Sequence, residues 1–336
     1  MLFPASPQAP LREFWALLQL TMIIAGLMLP FDIIGGLVIP NAFESRRTRL
    51  AEWVPQWGRS VSIQMVFYSV TLFCYLQIGR GVGSPWLVVI FLAVQIGLLA
   101  GQELVWRLMT ANVVTDTDER SVSYVSAVDP RFVGGVTGLP GFESIVLPNA
   151  WRKTLSTDVL STVRRRREVA LSTGARSCGI VTAMFWNTGF FGLALVAHGA
   201  SVVSVADIVS VFLYFLLFSF TGLLLLPAFN RRGVFLLDGH VAAESDASSL
   251  CDAIAKVDEM TEQDASRSTV AESVFQPIPC PTRRVAALHQ RPGRGTGAWN
   301  VARTTLFLSW AFGGPLSRAV HCNVGRPELW AILPTD

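Results

Sequence analysis

The chain has 336 residues, of which 51% are hydrophobic and only 15% charged, with a net charge of +3. A soluble domain carries about 25% charged residues, so the composition excludes an ordinary soluble enzyme. So small a positive excess also excludes a nucleic-acid partner read from charge.

The charge deficit is concentrated in five apolar stretches: Phe14–Val38, Val61–Ile78, Trp86–Gly101, Gly179–Ala197 and Ile208–Phe229. Each is near the roughly 20 residues that a helix needs to cross a hydrocarbon core. Backbone polar groups in lipid must be satisfied within the segment, so the stretches are predicted to be helices, with the lipid bilayer as their first partner. The first holds Pro30 and Asp32. A carboxylate at mid-helix costs about 2.5–3.5 kcal/mol on insertion scales. Either Asp32 lies near the interface, with the span ending around Pro30, or it is a functional intramembrane acid. Only Arg12 precedes this stretch and no A-x-A site follows it, which predicts a retained anchor rather than a signal peptide.

The second and third spans are joined by the glycine-rich turn Gly79–Ser84, the fourth and fifth by a short linker around Gly199–Asp207. Polar regions cover 102–178 and 230–336, so the expected division is 1–101, 102–178, 179–229 and 230–336. Basic residues set the orientation. Arg46, Arg47, Arg49 and Arg59 follow the first span. Arg107, Arg120, Arg131, Arg152, Lys153, Arg164–Arg167 and Arg176 fill the middle region, and Arg231 and Arg232 follow the fifth span. Arg12 and Arg80 stay on the other side. An outside N-terminus with five spans satisfies this distribution and puts both polar regions and the C-terminus in the cytoplasm. The two regions then form one cytoplasmic domain into which a transmembrane hairpin is inserted.

Within the first polar region, Phe132–Gly141 is glycine-rich but leads into Phe142–Pro148, which has strand character, so it predicts a β-hairpin rather than a phosphate cradle. Ser156 is a plausible N-cap for a helix carrying Leu155, Val159, Leu160 and Val163 at helical spacing, then four consecutive arginines, Arg164–Arg167. Four successive helical positions sweep around the helix, so one or two of these arginines are expected to face inward, the others serving topology and anionic headgroups. Ala242–Ser273, rich in Asp, Glu, Ser and Ala, predicts a solvated helix pair or a loop. Thr304–Phe312 is too short to span and predicts a buried helix of the cytoplasmic domain, with a re-entrant or interfacial segment as the alternative.

Metal and nucleophile motifs are missing from the sequence. There is no H-E-x-x-H, no G-x-S-x-G and no P-loop pattern, and His198, His240, His289 and His321 are far apart. The five cysteines, Cys74, Cys178, Cys251, Cys280 and Cys322, form no C-x-x-C pair and predict scattered thiols in a reducing compartment.

The order of these parts resembles the membrane zinc metallopeptidases typified by the heat-shock protease HtpX and the CAAX-prenyl protease, metallopeptidase family 48. Phe132–Pro148 resembles that family's strand pair and Leu155–Val163 the lead-in to its metal-binding helix. The fourth and fifth spans take the place of its transmembrane hairpin. Arg231–Ala242 resembles the segment around its third ligand, and Phe275–Pro279 with Arg283, Arg284 and Leu288 its late His-Pro segment. The resemblance covers roughly 131–288. It implies a mainly α membrane fold, a polytopic helical bundle with a mixed α+β cytoplasmic peptidase-like domain interrupted by a transmembrane hairpin, in a bacterial inner (plasma) membrane.

Carried over residue by residue, the family's zinc histidines fall on Arg166 and Ala170, its glutamate base on Arg167 and its ligand glutamate on Val234. Asp238 matches the aspartate four residues after that glutamate. The implied protein is a degenerate member with zinc ligands not retained, no catalytic residues, no metal and no cofactor, Asp238 remaining as a structural acid that pairs with Arg166 or Arg167. Its expected role is to bind or regulate an unknown membrane protein partner. The alternatives are an active HtpX-like peptidase with unrecognised ligands and an enzyme of another class using Asp32, Asp207 or Asp238.

Overall fold

Proline at the first turn of a helix sacrifices no hydrogen bond, and Pro10 opens helix α1 (Pro10–Ile33) in that position. In the computed structural model, residues 9–43, 48–110, 114–119, 122–127, 129, 131–244, 246–261, 266–268, 270, 272, 277–288, 297–314 and 328 are described. They fall into two units. The first takes the described residues of 1–110, 184–221 and 306–331, the second those of 111–183, 222–305 and 332–336.

In the first unit α1 runs through a π-helical turn, Ile34–Val38, into α2 (Ile39–Phe43). Helix α3 (Leu50–Gly81) lies antiparallel to α1. The pairing follows from four contacts: Trp57 Nε1 donates to Asp32 at 2.8 Å, Thr21 and Ser69 hydroxyls meet at 3.1 Å, Phe14 packs edge-on against Phe73, and Arg80 grips Glu13 with both terminal nitrogens at 2.7 and 2.5 Å. Asp32 is buried. Gly83, at φ +91°, makes the turn into α4 (Ser84–Ala100), which bends by 64° at Gly101 into α5 (Gln102–Thr110). The core here is aromatic, with Phe91 and Phe191 stacked at 4.3 Å beside Tyr75, Phe215 and Phe312. Large apolar side chains also point outward, among them Leu27, Phe31, Phe185 and Leu217.

Among the described residues four helices are long and apolar enough to cross a membrane, Pro10–Ala42, Leu50–Gly81, Ala175–Ala197 and Val205–Gly222, and the bent α4–α5 pair, a broken span or a re-entrant loop, counts as a fifth if it is one span. These correspond to the five stretches read from hydropathy, most of them running further than the apolar run itself. Backbone hydrogen bonding does not stop where hydrophobicity does.

In the second unit the strands are β1 (Val114–Glu119), β2 (Val122–Val125), β3 (Gly135–Thr137) and β4 (Ser144–Pro148), in sheet order β1-β2-β4-β3. The expected hairpin is the antiparallel β3–β4 pair, with Val136 opposite Ile145. The sheet extends beyond it through β2, which is parallel to β4, and β1. Short α6 (Trp151–Thr154) leads to α7 (Thr157–Ser172). Ser156 is its N-cap, accepting from the Val159 N–H at 3.4 Å, and Asp158 in the first turn suits the helix dipole. Helices α8 (Ala175–Ala197) and α9 (Val205–Glu244) contribute residues to both units. Helix α10 (Ala247–Thr261) buries Leu250, Ala253, Ile254 and Val257 in the same core as Val163, Ala170 and Leu237. This corrects the solvated reading of Ala242–Ser273: the acidic composition hides one apolar stripe at i, i+3, i+4, i+7 spacing.

After α11 (Pro281–Leu288), the Gly297–Trp299 segment threads between two helices. A Cβ on Gly179 of α8 would sit 2.0 Å from the Trp299 carbonyl oxygen, and one on Gly297 would sit 2.4 Å from the Gly233 Cα of α9. Helix α12 (Val301–Leu308) and the 3₁₀ turn Ser309–Phe312 follow. The stretch Thr304–Phe312 is buried, as its apolarity implies, but its distal part packs within the first unit. Trp310 touches Phe67 and Tyr68, and Phe312 touches Tyr75, Phe191 and Phe215. His289, Cys322, Arg46, Arg47, Arg120, Phe275 and Gln276 lie outside the described residues.

Candidate functional site

The arginine block sits on α7 with its first half turned outward and its second half inward. Arg164 and Arg165 pair with Glu168 on their own helix, and Arg165 also reaches Glu244 at 2.7 Å. Arg166 and Arg167 are buried. Helical rotation of 100° per residue separates these faces, as four consecutive positions require.

Arg166 Nε donates to Asp238 Oδ1 at 2.7 Å. Asp238 comes from α9 and is 1% exposed. A second cation closes on it from α11: Arg284 Nε donates to Oδ2 at 2.7 Å and Nη2 to Oδ1 at 3.0 Å. Burial pushes the Asp238 carboxyl up. The charges of Arg284 and Arg166 and their hydrogen bonds outweigh that and hold it below the usual carboxylate range. The group is therefore an ionised acid whose two oxygens already accept three charge-assisted bonds.

Arg167 does something else. Its Nη1 donates to the Val146 carbonyl at 2.8 Å and its Nη2 to the Val133 carbonyl at 2.7 Å. Its guanidinium stands 6.0 Å from the Trp151 ring centroid. Arg167 thus clamps α7 onto β4 and the strand leading into β3. Gly134, at φ +72°, makes the close approach possible, since a Cβ there would meet the Val146 oxygen at 1.9 Å.

The structure brings Arg166 and Asp238 into contact and places Ala170 and Val234 in one apolar core with Leu237 and Val241. Of the two arginines expected beside Asp238, Arg166 pairs with it and Arg167 turns to the sheet. Arg284 was visible as part of the Arg283-Arg284 pair, but its bond to Asp238 was not. Also missed was Glu272, buried, which accepts from the Cys280 N–H at 3.0 Å and from Arg283. Arg231 donates to the Glu272 backbone carbonyl at 2.9 Å. One acid in a polar segment carries no pattern that marks it as buried.

Of the other acids, Asp207 accepts from the Val203 and Ser204 N–H groups at 2.9 and 2.8 Å while the Ser204 hydroxyl accepts from the Asp207 N–H at 3.2 Å, a capping box for α9. His198 meets Asp207 at 3.1 Å. Cys74, Cys178, Cys251 and Cys280 are free thiols. Among the described residues no three His, Cys, Asp or Glu side chains converge in a way that suits a metal. Arg166, Arg167, Ala170 and Val234 do not suit zinc by their own chemistry: two are permanent cations and two have no donor atom.

No protein-family model matches the sequence. No curated protein sequence matches it either. Solved structures do. The fold is similar to the crystal structure of S. mikatae Ste24p, with a TM-score of 0.69 over 84% of this chain and 76% of that one at 14% identity. The chain therefore has an Ste24p-like polytopic membrane fold, mainly helical with a small sheet, as the family resemblance implies.

Proposed function

We propose that this protein is a non-catalytic integral membrane protein whose metallopeptidase-like domain is degenerate and serves to bind or regulate a membrane partner. We place the polar domain and C-terminus on the cytoplasmic side of a bacterial inner membrane. The supporting observation is the Arg166–Asp238–Arg284 cluster. By the sequence resemblance, the positions of α7 and α9 that match the family's ligands are Arg166, Arg167, Ala170 and Val234, two guanidinium groups and two aliphatic side chains, and the cluster occupies that place. Water activation at zinc needs neutral imidazoles, a carboxylate ligand and a base. Arginine supplies none of these, because it keeps its proton at any ordinary pH. Asp238 cannot stand in as base, since both its oxygens are engaged by cations and its proton affinity is lowered. What remains is a rigid domain with polar and apolar surface available for contacts.

Metal analysis of detergent-purified protein, together with casein cleavage with and without chelator, tests this. The expected outcome is no stoichiometric zinc and no chelator-sensitive cleavage. One zinc per chain with chelator-sensitive cleavage would replace the proposal with an active HtpX-like peptidase.

A further inference from the structure

The β3–β4 turn presents an apolar tip, Leu139-Pro140-Gly141-Phe142, and it is held stiffly. Gly138 and Gly141 have φ of +91° and +88°. The Phe142 N–H donates to the Leu139 carbonyl at 2.9 Å, and the Gly141 N–H donates to Glu143 Oε2 at 2.7 Å. A Cβ at Gly138 would meet the Phe142 carbonyl at 2.4 Å, so the turn is tightly closed. Phe142 nonetheless stands 85% exposed. Its exposure is imposed by a well-bonded turn, and an aromatic ring held in water by such a turn is unfavourable by the transfer free energy of its surface.

The base of the turn is tied to one place. Arg176 Nη2 donates to the Gly138 carbonyl at 2.6 Å, and Arg176 Nη1 lies 3.5 Å from Glu143. Arg176 is the second residue of α8, the apolar helix Ala175–Ala197 that is long enough to cross a membrane. Farther along this helix, Val181 is 64% exposed. An arginine at the end of a span marks the headgroup level, and aromatic side chains concentrate at that level. The turn is thus fastened to the boundary of a span whose outward apolar surface begins within two helical turns.

We propose that Leu139, Pro140 and Phe142 form an interfacial anchor that dips into the boundary between headgroups and acyl chains of the bilayer crossed by α8. The occupant is lipid. The apolar tip matches the acyl region, while Arg176, buried against Gly138 and Glu143, holds the base of the turn at the end of the span. Because β3 and β4 carry the tip and Arg167 fixes the same strands to α7, the anchor would set the sheet at the membrane surface. This holds whether or not the domain has catalytic chemistry.

The full-length protein in lipid nanodiscs, carrying Phe142→p-benzoylphenylalanine, tests the anchor by photo-crosslinking and mass spectrometry. The same photo-residue at Glu259, exposed on α10, is the control. Both positions are solvent-accessible, so neither change disturbs the core. The expected result is a lipid adduct at position 142, several-fold above that at 259. Equal lipid labelling at both sites, no lipid adduct at 142, or an adduct there with protein alone would each overturn the proposal.

Discussion

The two units build their cores from different side chains, aromatic in the first and aliphatic in the second. The first turns Leu27, Phe31, Phe185 and Leu217 outward and keeps aromatic rings inside. The second has an aliphatic core around Ala170, Val234 and Leu237 and buries an acid between two cations, with Phe142, Val181 and Phe229 turned outward. Each unit also holds a buried aspartate. Asp32 in the first accepts from the Trp57 N–H among its contacts, and Asp238 in the second is held by two guanidinium groups. In both units a carboxylate taken out of water meets a guanidinium, Glu13 with Arg80 in the first and Asp238 with Arg166 and Arg284 in the second, because burying a charge requires counter-charge beside it.

The largest effect that would sharpen this comparison is Asp238→Asn. Removing one partner leaves two buried cations poorly compensated and is expected to cost about 3–5 kcal/mol, read as chemical denaturation in detergent. Replacing Arg166, Asp238 and Arg284 together by Met, Leu and Met should recover most of that loss, because the desolvation penalty leaves with the charges. The pH dependence has a definite sign. Asp238 has its folded pKa depressed, so its contribution is present above its unfolded value of about 3.9 and disappears as pH falls through the folded value. The wild type should lose this contribution only below about pH 4, and Asp238→Asn should lack that acid limb. An unchanged acid limb in the variant would show that another group carries it.

Next comes Gly179→Ala in the second unit, where the added methyl meets the Trp299 carbonyl at 2.0 Å. It is expected to cost about 3 kcal/mol, the upper range for overpacking. Gly97→Ala in the first unit meets nothing within 4 Å. It should be neutral or stabilise by up to about 1 kcal/mol through helix propensity. Equal losses at the two glycines would erase the distinction between tight and loose backbone packing.

Smallest is Arg165→Ala on the outer face of α7. Its pairs with Glu168 and Glu244 are about half exposed, and the change is expected to cost about 0.5 kcal/mol or less.

How much of this was legible in the sequence differs by element. The spans showed in hydropathy because lipid imposes a length, and the α7 cap showed because Ser156 stands just before an apolar-periodic run. The Arg166–Asp238 contact was reachable only through the order of parts shared with a known family, since 72 residues separate the two in sequence. Strand β1, Val-Thr-Asp-Thr-Asp-Glu, was not reachable, having no run of apolar side chains to announce a strand. The packing of Phe312 among Tyr75, Phe191 and Phe215 was hidden because a short apolar run shows that it will be buried but not against which surface.

The Arg167 clamp has one more consequence. Its acceptors are the Val133 and Val146 carbonyl oxygens, which do not titrate, so the attachment of α7 to the sheet is indifferent to acidity. Acid that protonates Asp238 would weaken the ionic tie among α7, α9 and α11 while leaving the Arg167 bonds to the sheet intact. The polar ties of α7 thus differ in their response to acid, while the apolar core that it shares with the sheet, α9 and α10 responds to none.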